Sequence, residues 1–397
     1  MRIDNYASFL YPKNVKGCNN ILNQAAWITI QCAVVAMSAG IVLVYRERRK
    51  IANSKKSYSF KAGLKDLLDT QAFGPKAVWV PVHEGDAAQL LTSIDEQQQL
   101  HETKPTIVLV HGFGCTSLEF SSLRRMLGEK ELRVFSYDRV IAVKEELEGM
   151  QRLPLPRTVE RLAQELQTLI CKLKIRNSII VGHSYGGLVA QCYAMMYPET
   201  VAGLVLLDPA HENQYSHFPY DFRLSFRAIP TLLWCYQEMC YIFPSFVKRL
   251  FETMDQFDLF NFPPIFLMKD KYLRKMTLQL YCDGDAWRRA REELEGCNES
   301  FQCMSNFRAL HSDIPKDLPI SLVLANDRRF SPTMFPNKIT QAFIDIHQEF
   351  CLNHNVETFI AGDSDHWIHM QQPEIVIEAI LSVLNRLDGQ NKVYNNW

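Results

Sequence analysis

Residues 178–187 read Ser178-Ile179-Ile180-Val181-Gly182-His183-Ser184-Tyr185-Gly186-Gly187, and the architecture of the chain follows from them. The run before Gly182 is apolar and β-branched, as expected of a buried strand, and Leu188-Val189-Ala190 continues with helical character. Between strand and helix stands Gly-x-Ser-x-Gly, whose glycines leave room for a sharp turn. Such a turn lifts the serine hydroxyl clear of the backbone and points a helix N-terminus at it. A serine between glycines is by itself often only a turn. In strand-turn-helix context it makes Ser184 a candidate nucleophile.

A serine hydroxyl is weak at neutral pH unless a base takes its proton. Ser364-Asp365-His366-Trp367 is expected in the loop after a strand at 356–360 and before the last helix, which makes His366 the candidate base and His369 its local rival. An acid to hold the imidazole has two possible seats, Asp208 at the end of a strand at 201–207 and Asp327 after one at 320–324. Asp208 has the competing reading of a cap for the turn at Pro209, and Asp327 that of a surface pair with Arg328 or Arg329. Either acid gives the chain order Ser, acid, His. His111-Gly112-Phe113-Gly114 follows a strand at 106–110, so that the backbone N–H groups of Phe113 and Tyr185 are expected to face a developing oxyanion.

Outward from this centre, strand patterns at 77–82, 106–110, 133–137, 178–181, 201–207, 320–324 and 356–360 alternate with amphipathic helices at 157–173, 188–197, 337–351 and 373–387. Alternation of this kind implies crossover units and a mostly parallel α/β sheet flanked by helices. The alternation breaks once, over 211–318, where Phe, Tyr, Met and Leu are frequent. That stretch is expected to be a helical cap inserted into a core of 76–210 and 319–390.

Residues 25–45 are apolar apart from Thr29, Gln31 and Ser38, long enough for a transmembrane helix. They follow an N-terminal segment, 1–24, and precede a basic juxtamembrane linker, 46–75, that opens with Arg46, Arg48, Arg49 and Lys50. The denser positive charge after the helix places the body of the protein on the cytosolic side as a single-pass membrane protein, the organelle left open. The 11 cysteines are odd in number and scattered. Cys171, Cys192, Cys235 and Cys240 sit in apolar runs, as reduced core cysteines do. Cys297 and Cys303 bracket Asn298-Glu299-Ser300 and allow a small disulfide loop carrying a glycan.

The formal net charge of −1, from 43 basic and 44 acidic side chains, gives no field to draw the chain to nucleic acid. No Cys-x-x-Cys or His/Cys spacing suggests zinc, and no metal or organic cofactor is implied.

With these pieces placed, residues 106–215 resemble the α/β-hydrolase superfamily, and within it a serine esterase and lipase-like group. The likeness is carried by His111-Gly112-Phe113-Gly114, Tyr137-Asp138-Arg139, Gly182-His183-Ser184-Tyr185-Gly186-Gly187 and Leu207-Asp208-Pro209-Ala210-His211-Glu212, with Pro373-Glu374 after His366. The resemblance implies that the aspartate ending the strand before the cap acts as the acid, which favours Asp208. Two departures stand out: a charged run at 140–150 replaces the usual glycine-rich turn, and Ala325-Asn326-Asp327 lacks a glycine; the His-x-x-x-x-Asp that some acyltransferases of the superfamily carry does not start at His366. The expected activity is hydrolysis of a carboxylic ester through an acyl-enzyme. A lipid is the expected substrate, because Phe218, Tyr220, Phe222, Phe226, Trp234, Met239, Phe243 and Phe246 are positioned to line an apolar pocket in the cap. Thioesterase or amidase activity would use the same residues. A non-catalytic binding module with a hydrolase fold is the alternative from another class.

Overall fold

The computed structural model describes residues 77–81, 89–94, 104–139, 156–256, 265–310, 313–326 and 336–394. Among the described residues eight strands form one sheet: β1 (Ala77–Pro81), β2 (Gln89–Ile94), β3 (Thr106–Val110), β4 (Val134–Asp138), β5 (Ser178–His183), β6 (Val201–Leu207), β7 (Ile320–Ala325) and β8 (Val356–Ala361). Their order is β1-β2-β4-β3-β5-β6-β7-β8. The β1–β2 and β2–β4 pairs are antiparallel and every later pair is parallel.

β3, β4, β5 and β7 are buried along their whole length, and β3 and β7 accordingly read as near-continuous apolar runs, while β4 carries the buried polar residues Ser136 and Asp138 on one face. Ile107 and Leu109 point into one core layer, and Val108 and Val110 into the other. Helices α1 (Ser121–Gly128) and α12 (Pro373–Tyr394) cover the first layer through Leu123, Leu127, Val376, Ile380 and Val383. Helices α2 (Val159–Lys172) and α3 (Tyr185–Met196) cover the second through Leu162, Leu166, Leu188 and Val189.

Between β6 and β7 lie α4 (Gln214–His217), α5 (Tyr220–Ile242), α6 (Pro244–Gln256), α7 (Lys271–Tyr281), α8 (Gly284–Glu295) and α9 (Cys297–Ala309). Leu233, Val247, Phe251, Trp287, Leu294, Phe301 and Met304 from these helices join the second core layer, so the insertion and the sheet share one apolar interior. Helix α10 (Pro336–Asn353) precedes β8, and the short α11 (Ile368–Gln371) precedes α12.

Several expectations are corrected. β2, Gln-Leu-Leu-Thr-Ser-Ile, was not anticipated, because a short strand pairing through its backbone needs no strong alternation. Helix α3 begins at Tyr185, not 188, so both glycines after the turn are helical. Cys297 and Cys303 are free thiols: six positions apart on α9 they are separated by about 9 Å along the axis, beyond disulfide reach. Ser300 of the intervening sequon is fully buried. Cys192, Cys235 and Cys240 are buried, whereas Cys171 lies exposed near the end of α2. No helix among the described residues is long and apolar enough to cross a membrane, and residues 25–45 and the linker at 46–75 lie outside them.

Leu206, in β6 with parallel neighbours on both sides, is fully buried. Leu206→Ala is expected to lower folding stability by about 2–5 kcal/mol, read from denaturant unfolding, through lost transfer energy and the cavity left behind.

Candidate active site

Ser184 sits between β5 and α3 at φ 53, ψ −121, a backbone conformation disfavoured for a residue with a Cβ. Its amide donates to Leu207 O at 3.0 Å, and its carbonyl accepts from Gly187 N and Ala210 N, each at 2.9 Å. The glycines are needed for space. A Cβ on Gly186 would lie 2.3 Å from Val110 O and 2.4 Å from His111 O, and one on Gly182 would lie 2.5 Å from Gly186 O. Ser184 itself is partly exposed while both its neighbours are buried.

Asp208, directly after β6, is also at positive φ, 43°, and its side chain is fully buried. Its amide donates to Val323 O at 2.8 Å, and Oδ1 accepts from Ala325 N at 3.3 Å. Oδ2 lies 2.6 Å from His366 Nδ1. The structure therefore brings Asp208 and His366 together, while Asp327 lies outside the described residues. His366 also donates its amide to Asp365 Oδ1 at 2.6 Å, so the carboxylate at 365 is used to shape the loop. His369, the local rival, is fully buried on α11 and points away from solvent.

The two amides expected to serve an oxyanion come from different elements. That of Tyr185 opens α3, where a helix leaves its first N–H groups without intrahelical acceptors. That of Phe113 belongs to the turn after β3, which approaches the elbow closely because residue 112 is glycine. A Cβ there would sit 3.3 Å from Ser184 Cβ.

What holds that turn was not read from sequence. Arg139, buried at the end of β4, donates to His111 O at 2.5 Å and Gly112 O at 2.8 Å, and its other edge pairs with Glu293 of α8 at 2.7 and 3.1 Å. Burial opposes the guanidinium's charge, but the Glu293 carboxylate outweighs it and raises its pKa above the ordinary value. Asp138 accepts from Ser117 N at 2.5 Å and Ser117 Oγ at 2.7 Å, and burial pushes its carboxyl up to about 6. His111 is held well below the usual histidine range by burial and then by Arg139. His183 is likewise lowered by burial and then by His369 and His366, and its Nε2 lies 2.9 Å from His366 O. Tyr185 O–H pairs with Ser300 Oγ on α9 at 2.9 Å, and Arg308 of α9 donates to Glu212 at 2.5 Å and Gln191 at 3.0 Å. These contacts pin the inserted helices to the elbow.

The aromatic cap residues divide differently from expectation. Phe218 and Phe222 are buried with Ile339, Phe343 and Ile346 of α10, so they pack against a core helix. Tyr220, Phe243 and Phe246 are exposed, Trp234 is half-buried, and Met239 packs partly buried on the core. The side chain of Phe226 lies outside the described residues. Period alone does not tell which face of an insertion meets the sheet, so these residues do not jointly line one pocket.

Glu293→Leu strands Arg139 as an unpaired buried charge and is expected to destabilise the fold by about 3–5 kcal/mol in chemical denaturation. The double variant Arg139→Met/Glu293→Leu should regain much of that stability. It should not regain Ser184 reactivity toward a fluorophosphonate, because the two carbonyls of the turn lose their donor.

Residues 107–379 match the model of the alpha/beta hydrolase family. Over 147 residues the chain is 26% identical to the abhydrolase domain-containing protein abhd-5.2 of Caenorhabditis elegans, covering 35% of this chain and 31% of that protein. Over 106 residues it is 31% identical to the sn-1-specific diacylglycerol lipase ABHD11 of Mus musculus, covering 27% of this chain and 33% of that one. The chain thus aligns with about a third of the length of these two relatives. Among solved structures, carboxylesterase CesB (YbfK) from Bacillus subtilis superposes with a TM-score of 0.52 at 15% identity, covering 82% of this chain and 99% of that one, a likeness of fold. With the family model spanning the sheet from β3 to α12 and taking in the elbow, Asp208 and His366, the chain belongs to the alpha/beta hydrolase family.

Proposed function

We propose that the protein is a membrane-anchored serine hydrolase that cleaves a carboxylic ester, a lipid ester foremost, through Ser184, His366 and Asp208. The observation that carries the reading is the 2.6 Å contact between His366 Nδ1 and the buried Asp208 carboxylate, in a chain whose Ser184 occupies a strained strand-to-helix turn. With Nδ1–H given to Asp208, Nε2 is the nitrogen left to take the Ser184 proton. Ser184 Oγ attacks the ester carbonyl, and the oxyanion that forms is met by the Phe113 and Tyr185 amides. His366 then protonates the leaving alcohol, and a water activated by the same imidazole frees the acid and restores the serine.

A lipid substrate is favoured by the likeness to the mouse relative, an sn-1-specific diacylglycerol lipase. Apolar side chains on the outside of the inserted helices add support, with Tyr220 68%, Leu224 53% and Phe246 58% exposed. The apolar segment at 25–45 would hold the hydrolase at a bilayer, with its body on the cytosolic side.

The full chain in detergent, offered p-nitrophenyl esters of rising chain length and a fluorophosphonate probe, is expected to label and turn over, with rates rising toward long chains. Ser184→Ala should abolish both. A folded wild-type protein that neither labels nor hydrolyses any ester would overturn the reading in favour of a binding module.

Asp208→Asn should reduce turnover by about four orders of magnitude while leaving the fold intact, because the amide no longer fixes the productive tautomer. If Asp327→Asn is the damaging change and Asp208→Asn is silent, the acid is Asp327.

A further inference from the structure

On the inner side of the elbow, away from solvent, three side chains meet that the hydrolytic reading does not use. Glu119 comes from the 3-10 turn Ser117–Phe120, His183 ends β5, and His369 lies on α11. Each offers one ligand-type atom, and these atoms lie within 4.8 Å of one another. The Glu119 and His369 side chains are fully buried, with His369 Nε2 3.4 Å from Glu119 Oε2. The His183 ring lies 4.5 Å from that of His369 and 4.7 Å from that of His366, centroid to centroid.

This cluster is short of partners. Neither His369 nitrogen nor His183 Nδ1 has a hydrogen-bond partner, and the buried Glu119 carboxylate has beside it the Cys115 thiol, a weak donor, and His369 Nε2. Buried polar atoms left in this state are costly, and so many in one place call for a common partner. A bare ion pair between Glu119 and a protonated His369 would engage only two of these atoms and would leave His183 Nδ1 unmet. A cation satisfies all three side chains at once.

His183 is arranged for that role. Its Nε2 lies 2.9 Å from His366 O, so the N–H on that nitrogen donates to the carbonyl and the lone pair is left on Nδ1. Metal-binding histidines commonly have this second contact, which fixes the tautomer and orients the ring. Two imidazoles and one carboxylate form a nitrogen-rich donor set, suited to zinc and its first-row neighbours and unsuited to calcium or magnesium, which take oxygen.

We propose that Glu119, His183 and His369 form a binding site for a divalent first-row transition ion, zinc foremost. Tetrahedral ligands held at about 2.1 Å from zinc lie about 3.4 Å apart, which is the Glu119–His369 separation already, so loading closes the widest gap in the cluster by up to about 1.4 Å. The three donors come from the segments after β3, at the end of β5 and after β8. The same segments carry the Phe113 amide, Ser184 and His366. The ion therefore cross-links the three parts of the hydrolytic site from behind, as a structural ion out of reach of substrate.

The test uses the full chain in detergent, stripped with a chelator and titrated with Co²⁺ and then Zn²⁺. Wild type is expected to bind one Co²⁺ with visible d–d absorption, to release it to Zn²⁺, and to melt several degrees higher with Zn²⁺ present. Glu119→Gln, nearly isosteric, and His369→Phe, which keeps a ring beside Phe120, should lose the absorption and weaken Co²⁺ binding at least a hundredfold.

The proposal is overturned if wild type shows no Co²⁺ band. It is equally overturned if either folded variant binds Co²⁺ as tightly as wild type, which would place the ion elsewhere. Should His369→Phe fail to fold, Glu119→Gln decides alone. Fluorophosphonate labelling of Ser184 is read separately, so the metal site and the hydrolytic reading can fail independently.

Discussion

The backbone at Ser184 holds a side-chain-bearing residue at φ 53, a conformation that costs of order 1–3 kcal/mol and persists only where its surroundings enforce it. The enforcement here is local and dense. The Ser184 amide and carbonyl are both bonded, to Leu207 and to Gly187 and Ala210, and the glycines at 182 and 186 bring the helix against β3 and β5 more closely than a Cβ allows. The site depends on the sheet order as well, because β5 lies between β3 and β6. The oxyanion turn and Asp208 therefore leave neighbouring strands on either side of the serine. Asp208 carries a second positive φ, so two strained residues face one another across the strand ends.

Around this centre the inserted helices are more than a cover. Arg139 is shared between the carbonyls of the His111-Gly112 turn and Glu293 of α8, and Tyr185 reaches Ser300 of α9. In a buried, low-dielectric setting these bonds are strong when complete and costly when broken. Positions of the insertion are thereby coupled to the geometry of the oxyanion turn. A substitution far from Ser184 along the chain, such as one at Glu293, acts on the site through a single guanidinium.

Much of the sheet was legible because parallel strands covered on both faces must be apolar throughout, and β3, β5, β6 and β7 are written that way. The elbow was legible because strain at a serine needs glycine at fixed offsets. β2 was not, since a short antiparallel strand joins the sheet through its backbone whatever its side chains. The cap aromatics were misread for a related reason: Phe218 and Phe222 find α10, while Tyr220 and Phe246 face outward, and composition carries no direction.

The amino-acid order by itself determined the buried parallel strands, where the strained serine falls, and that a glycine-rich turn and a late histidine accompany it, because these are local demands on a few adjacent residues. Only the tertiary structure decided that His366 meets Asp208, that Arg139 finds Glu293 of α8, and that Glu119, His183 and His369 share one buried space. Those partners are far apart along the chain and become neighbours through crossover connections. Nothing within a local window records which strand ends will lie side by side.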